Sequence, residues 1–235
     1  MGNKISVHVF NIIMVFVIIL LIVVAVVYFK LKSDPAWIKE LCKGKTDEQK
    51  KVIRYFVREG CLSSVMSDAE YDSLVNSRAT SMDFKQKALD KHGLDIDQVQ
   101  EIRPVHFEGY VFDNKSYAKK GKDNLWRSSK YQTTWIFLSD TQIYFYQYTF
   151  NLDETTKRES TNEYFYKDIV NFSSASSTEE VVEYNKKGEK KLVSVDSNIF
   201  QLVVPGDNIS CALQLNEETE NVIKGMKNKL REKKI

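Results

Sequence analysis

Residues 131–150, YQTTWIFLSDTQIYFYQYTF, hold two runs of β-branched and aromatic residues on either side of Ser139-Asp140. Such side chains suit a pleated, partly buried surface, and Ser-Asp suits a tight turn, so the stretch reads as a β-hairpin. Along its second strand Tyr144, Tyr146 and Tyr148 share one face, with Ile143 and Phe145 on the other. A tyrosine row of this kind is either a covered sheet face or an aromatic surface for a ligand.

The same alternation extends outward in both directions. HFEGYVF (106–112) precedes the hairpin, and NEYFYKDIVNFS (162–173), EEVVEYN (179–185), KKLVSV (190–195), NIFQLVV (198–204) and SCALQL (210–215) follow it. Lys186-Lys187-Gly188 and Pro205-Gly206-Asp207-Asn208 supply further turns, giving an antiparallel meander of seven or eight strands. It closes on NEETENVIKGMKNKLREKK (216–234). Asn216 is the expected N-cap, acidic residues crowd the first turns and basic ones the last, and Val222, Ile223, Met226 and Leu230 form an apolar stripe.

Upstream, residues 33–101 carry helix punctuation. Asp34-Pro35 predicts an N-cap and first helical position for a helix that Gly44 ends. Thr46 with Gln49, and Ser67 with Glu70, predict capping boxes. Val52, Ile53, Phe56 and Val57 form a stripe up to Gly60. Leu74, Val75, Ala79, Met82 and Leu89 form another, unless Ser81 opens a separate helix, and a short turn spans 96–100. Helices this short need a partner, which is each other, the β segment or a second copy of the chain.

Before them lies VFNIIMVFVIILLIVVAVVYF, Val9 to Phe29, in which 17 positions are Val, Ile, Leu or Phe. About 20 apolar residues span roughly 30 Å as a helix, and insertion is favoured by roughly 5 to 10 kcal/mol. Tyr28, Phe29, Lys30 and Lys32 are the expected membrane-interface residues. A cleaved signal is the competing reading, opposed by the length of the run and by an exit, VVYFKLKSDPA, without a small-x-small site. Excess Lys after the run places the body in the cytoplasm. Gly2 with Ser6 fits a short myristoylation pattern. The expected division is an anchor over 1–32, a helical segment over 33–101 and a β domain over 102–235.

Little in the chain points to chemistry. A net charge of +2 gives no reason to expect nucleic acid as a partner. Cys42, Cys61 and Cys211 are odd in number and widely spaced, unlike a disulfide framework. His92 and His106 lack metal-ligand neighbours at helical spacing, and Asp68-x-Glu70-x-Asp72 lacks the glycine of a calcium loop, so no cofactor is expected.

The hairpin WIFLSDTQIYFYQY and the strand EYFYKDIVNFS, with Tyr166, Asp168, Ile169 and Val170, followed by a terminal helix, resemble the pleckstrin-homology-like (PH-like) fold, including its GRAM-type bacterial relatives. The resemblance covers about 130 residues. It implies an α+β chain: a transmembrane helix, a small helical segment, then an antiparallel barrel or sandwich with a C-terminal helix. It also implies binding rather than catalysis, directed at a protein partner or at anionic lipid. The corresponding basic loop here is DNKSYAKKGKDNLWRSSK, with Lys115, Lys119, Lys120, Lys122, Arg127 and Lys130 as candidate contacts. A solvated loop is the plain alternative, and an enzyme with a site scattered along the chain is a third reading. The other cluster, Lys186, Lys187, Lys190 and Lys191, reads as a hairpin tip kept soluble by charge.

Overall fold

A computed structural model describes residues 2–58, 65–99, 103–185, 187–214 and 216–233. It is a mixed α+β structure with an N-terminal apolar helix, antiparallel sheets and a C-terminal helix. Helix α1 (Gly2–Lys32) contains a stretch, Phe10–Phe29, of mean hydropathy 3.5 and with none of it buried. That stretch is long and apolar enough to cross a bilayer, a description a signal sequence also meets. Tyr28 and Phe29 are exposed near its end, with ring centroids 6.0 Å apart. The side chains of Lys30 and Lys32 lie outside the described set.

Four short helices follow: α2 (Ala36–Leu41), α3 (Asp47–Val57), α4 (Asp68–Thr80) and α5 (Phe84–His92). Both predicted capping boxes form, on Thr46 and Ser67, each satisfying two backbone donors that the first helical turn leaves open. Two expectations are corrected. Asp34 does not cap α2, because its carboxylate is drawn to Arg54 Nε at 2.7 Å and Arg58 Nη1 at 2.8 Å, where charge-assisted bonds outweigh a cap. Of the two readings of the stripe from Leu74 to Leu89, the separate second helix is the one present, and its cap is Asp83 instead of Ser81. Gly60, the expected stop of α3, and Cys61 lie outside the described residues.

The strands form a four-stranded sheet, β1-β4-β5-β6, a three-stranded sheet, β7-β8-β9, and a small pair, β2-β3. Their ranges are β1 (Val105–Val111), β2 (Ala118–Lys120), β3 (Trp126–Ser128), β4 (Lys130–Leu138), β5 (Gln142–Asn151), β6 (Lys157–Phe165), β7 (Asn171–Tyr184), β8 (Lys190–Val204) and β9 (Asp207–Leu213). All ladder pairings are antiparallel, and the sheets do not close into a barrel. The run read as one strand, EYFYKDIVNFS, breaks at a corner: Tyr166–Asp168 is a 3-10 turn, held by the Tyr166 hydroxyl donating to the Ser139 carbonyl at 2.8 Å. KKLVSV and NIFQLVV fuse instead into the single long strand β8.

The hairpin β4-β5 lies at the centre of the molecule and is buried on both faces. Tyr144, Tyr146 and Tyr148 pack with Phe137 against Ile53, Phe56, Tyr71, Phe84 and Leu89 of the helices. Ile143 and Phe145 pack with Phe107 and Ile136 against Phe200, Leu202 and Ile209 of the second sheet and Ile223, Met226 and Leu230 of α6 (Glu217–Lys233). The tyrosine row is therefore a covered sheet face. The helices find their partner in the sheet itself, and so the layers run helices, sheet, sheet, with α6 closing the second core. Asn216 caps α6 as expected, its Oδ1 accepting from Thr219 N at 2.8 Å.

Candidate functional site

Where α4 approaches the β1 end, a groove of about 630 Å³ opens between the helical layer and the second sheet. Asp72 and Asn76 come from α4, Tyr110 and Phe112 from the end of β1, Leu125 and Trp126 from the β2-β3 hairpin, and Asp196 and Asn198 from β8. Leu125 is 62% exposed at the rim. Phe112 and Trp126 beside it are half-buried.

An ion cluster fixes the wall of this groove. Arg127 is 4% exposed and directs Nε and Nη2 to the two oxygens of Asp72, each at 2.7 Å. Its Nη1 and Nη2 also meet Asp123 at 3.0 and 2.7 Å. The Tyr110 hydroxyl adds a donor to Asp72 at 2.9 Å. Hydrogen bonds from Arg127 hold the Asp123 carboxyl well below the usual carboxylate range, and Asp72 followed by Asp123 keeps Arg127 firmly cationic. Asp68, one turn earlier on α4, accepts from the Tyr55 hydroxyl at 2.8 Å and from Lys122 N at 2.9 Å. Burial works to raise its pKa, but those donors outweigh it and the net shift is downward. Burial, and then the bond to Asp68, push the Tyr55 phenol up.

The hairpin tip reaches this cluster because of its turn. Asn124 takes a left-handed conformation, φ 65°, which asparagine tolerates better than most residues. Gly121 allows the close approach, since a Cβ there would sit 2.3 Å from Arg127 Nη1 and 2.9 Å from Asp68 Oδ2. Behind it Tyr71 stacks on Tyr55, with centroids 4.4 Å apart, and donates to the Ser128 carbonyl at 2.6 Å. The hairpin and α4 thus form one unit.

The basic loop divides in two. Arg127 is buried in the cluster, Lys130 donates to Asp113 at 2.6 Å, and Lys119 donates to the Tyr55 carbonyl at 3.0 Å with its ammonium 4.5 Å from that ring. The side chains of Lys115, Lys120 and Lys122 are exposed. Sequence reasoning missed the groove itself. Asp72 was visible only as part of a failed calcium spacing, whereas Leu125-Trp126, an apolar pair inside a polar loop, was a signal that charge counting overlooked.

His92 and His106 each meet neighbours in the body. The His92 side chain is fully buried at the end of α5, with Nδ1 3.0 Å from Glu163 Oε1 and Nε2 3.0 Å from the Phe145 carbonyl. Both partners are acceptors, so the ring makes both bonds at once only when each nitrogen carries a proton. His106 stacks on Trp135 at 4.4 Å and meets Thr133 Oγ1 at 2.8 Å. Burial lowers its pKa against the opposing pull of Glu108. Cys42 and Cys211 are free and buried, and burial pushes the Cys211 thiol up to about 12. Among the described residues no group of His, Cys, Asp or Glu could hold a metal ion. Comparison with protein-family models, curated proteins and solved structures found no match.

Proposed function

We propose that the protein is a membrane-anchored, non-enzymatic binding module, a PH-like body tethered by α1 and facing the cytoplasm, that recognises a protein partner through the groove beside α4. The observation that carries this reading is the exposed Leu125, which lines the concavity together with half-buried Trp126 and Phe112. Apolar and aromatic anchors around a small number of fixed polar groups are the usual make-up of a recognition pocket. Asp72 is balanced by Arg127, and Asp196, which accepts from Thr178 Oγ1 at 2.7 Å, adds one exposed carboxylate, so the lining favours a chiefly apolar partner segment. Four strands in one sheet, three in the next and a terminal helix support the PH-like assignment. Tethering raises local concentration, so weak contacts suffice.

A lipid contact through residues 115–130 has less support, because Lys119, Arg127 and Lys130 are committed to internal partners. An enzymatic reading would need His106 among several carboxylates, and among the described residues Glu108, at 3.8 Å, is the one beside it. The test is affinity purification of the full chain from its native membranes, alongside Leu125→Asp and Trp126→Ala variants. A partner that co-purifies with the unaltered chain and is lost from both variants supports the proposal. A partner retained by both, or recovery of the chain alone, contradicts it.

A further inference from the structure

The β7-β8 hairpin tip carries Lys187, Lys190 and Lys191, all exposed, followed by Leu192, which is 56% exposed. It has no part in the groove. Its place in the fold is set by Trp37, the second residue of α2, which stacks on Tyr184 with centroids 5.7 Å apart and planes 11° from parallel. Gly188 sits directly on the indole: a Cβ there would lie 2.6 Å from Trp37 Cδ2, and its φ is +83°, so only glycine fits. Trp37 is five residues beyond Lys32, where α1 ends. Five residues reach at most about 18 Å, so the tip stays close to the exit of α1 whatever the angle between helix and body.

We infer that the β7-β8 hairpin tip is a second membrane contact, seated on the anionic phospholipid headgroups around α1. This rests on the reading that α1 spans the bilayer. Lys39 and Lys43 of the adjoining α2 region are exposed, with Lys43 3.5 Å from Glu40, and Lys30 and Lys32 lie at the helix end in sequence. Three carboxylates, Glu40, Glu183 and Glu189, oppose them, and Glu189 is engaged by the Asn185 amide at 2.6 Å. The excess is basic. An exposed leucine preceded by two lysines suits the boundary between acyl chains and headgroups, where the apolar side chain enters and the ammonium groups remain with phosphate.

The experiment uses the full chain in nanodiscs of phosphatidylcholine with or without phosphatidylserine. Reductive methylation of Lys187, Lys190 and Lys191 is followed by mass spectrometry relative to Lys224, which is exposed on α6. Phosphatidylserine is expected to slow the three tip lysines on the order of fivefold, and high salt to restore their rates. Equal rates with and without phosphatidylserine, or slowing indifferent to salt, overturn the proposal. An alkaline wash separates the two ways of failing. If the chain leaves the lipid, the spanning reading falls and the contact with it; if it stays and the lysine rates are equal, only the contact falls.

Discussion

The insertion at 113–130 and the hairpin tip at 185–191 are both basic turns between strands, yet the fold treats them differently. In the first, α4 brings Asp68 and Asp72 against the turn, Asp123 joins them, and the guanidinium of Arg127 becomes part of the interior. In the second, the neighbouring element is α2, which presents the face of Trp37 and leaves the ammonium groups of Lys187, Lys190 and Lys191 outside. A run of lysines and arginines therefore says little about binding until the element packed against it is known. The carboxylates of Asp72 and Asp123 turn Arg127 into structure, whereas the stack of Trp37 on Tyr184 leaves the tip lysines exposed.

The largest effect that would break this contrast is expected from Arg127→Ala. It strands Asp72 and Asp123 and empties a site that is 4% exposed. Breaking a buried pair costs about 3–5 kcal/mol, and the half-exposed partners, at 38% and 42%, reduce this to about 2–3 kcal/mol, read from urea unfolding of the full chain in micelles. A smaller loss, about 1–2 kcal/mol, is expected from Tyr71→Phe, which leaves the buried Ser128 carbonyl without its donor at 2.6 Å. Charge reversal at Lys187, Lys190 and Lys191 together should change stability by about 0.5–1 kcal/mol, since the three side chains are exposed and the ammonium of Lys190 lies 6.0 Å from the centroid of the buried Tyr184 ring, a contact worth about 0.5–1 kcal/mol at an exposed site. A loss as large as that of Arg127→Ala would erase the distinction between the two turns.

Acid sharpens the comparison further. Asp68 and Asp123 are held below the ordinary aspartate value of 3.8, so the folded chain binds fewer protons than the unfolded chain around that pH. Their contribution is present in full above that value and is lost as the pH falls through their lowered pKa values. The difference in unfolding midpoint between the unaltered chain and Arg127→Ala should accordingly narrow below about pH 4. The charge-reversed tip variant should track the unaltered chain over the same range.

What could be read in the sequence was local. The capping boxes at Thr46 and Ser67, the Ser139-Asp140 hairpin and the cap at Asn216 each depend on residues within a few positions of one another, and all four are present. Partnerships across the chain were not legible. Asp72 and Arg127 are 55 residues apart, and Trp37 meets a turn near the far end of the β segment. The corner at Tyr166 was hidden for a different reason: Tyr166 and Ile169 are buried while Phe165 and Val170 beside them are exposed, and this run of apolar residues reads as one strand through the break. The row Tyr144, Tyr146, Tyr148 allowed two readings until the helices were seen to cover it.

The most direct test of the account compares the two turns in one experiment. A photoreactive side chain is placed at Leu125 or at Leu192 of the full chain in its native membrane, and the adducts are identified by mass spectrometry. The account predicts a discrete protein adduct from Leu125 and phospholipid adducts from Leu192. Phospholipid adducts from Leu125 together with none from Leu192 would contradict it.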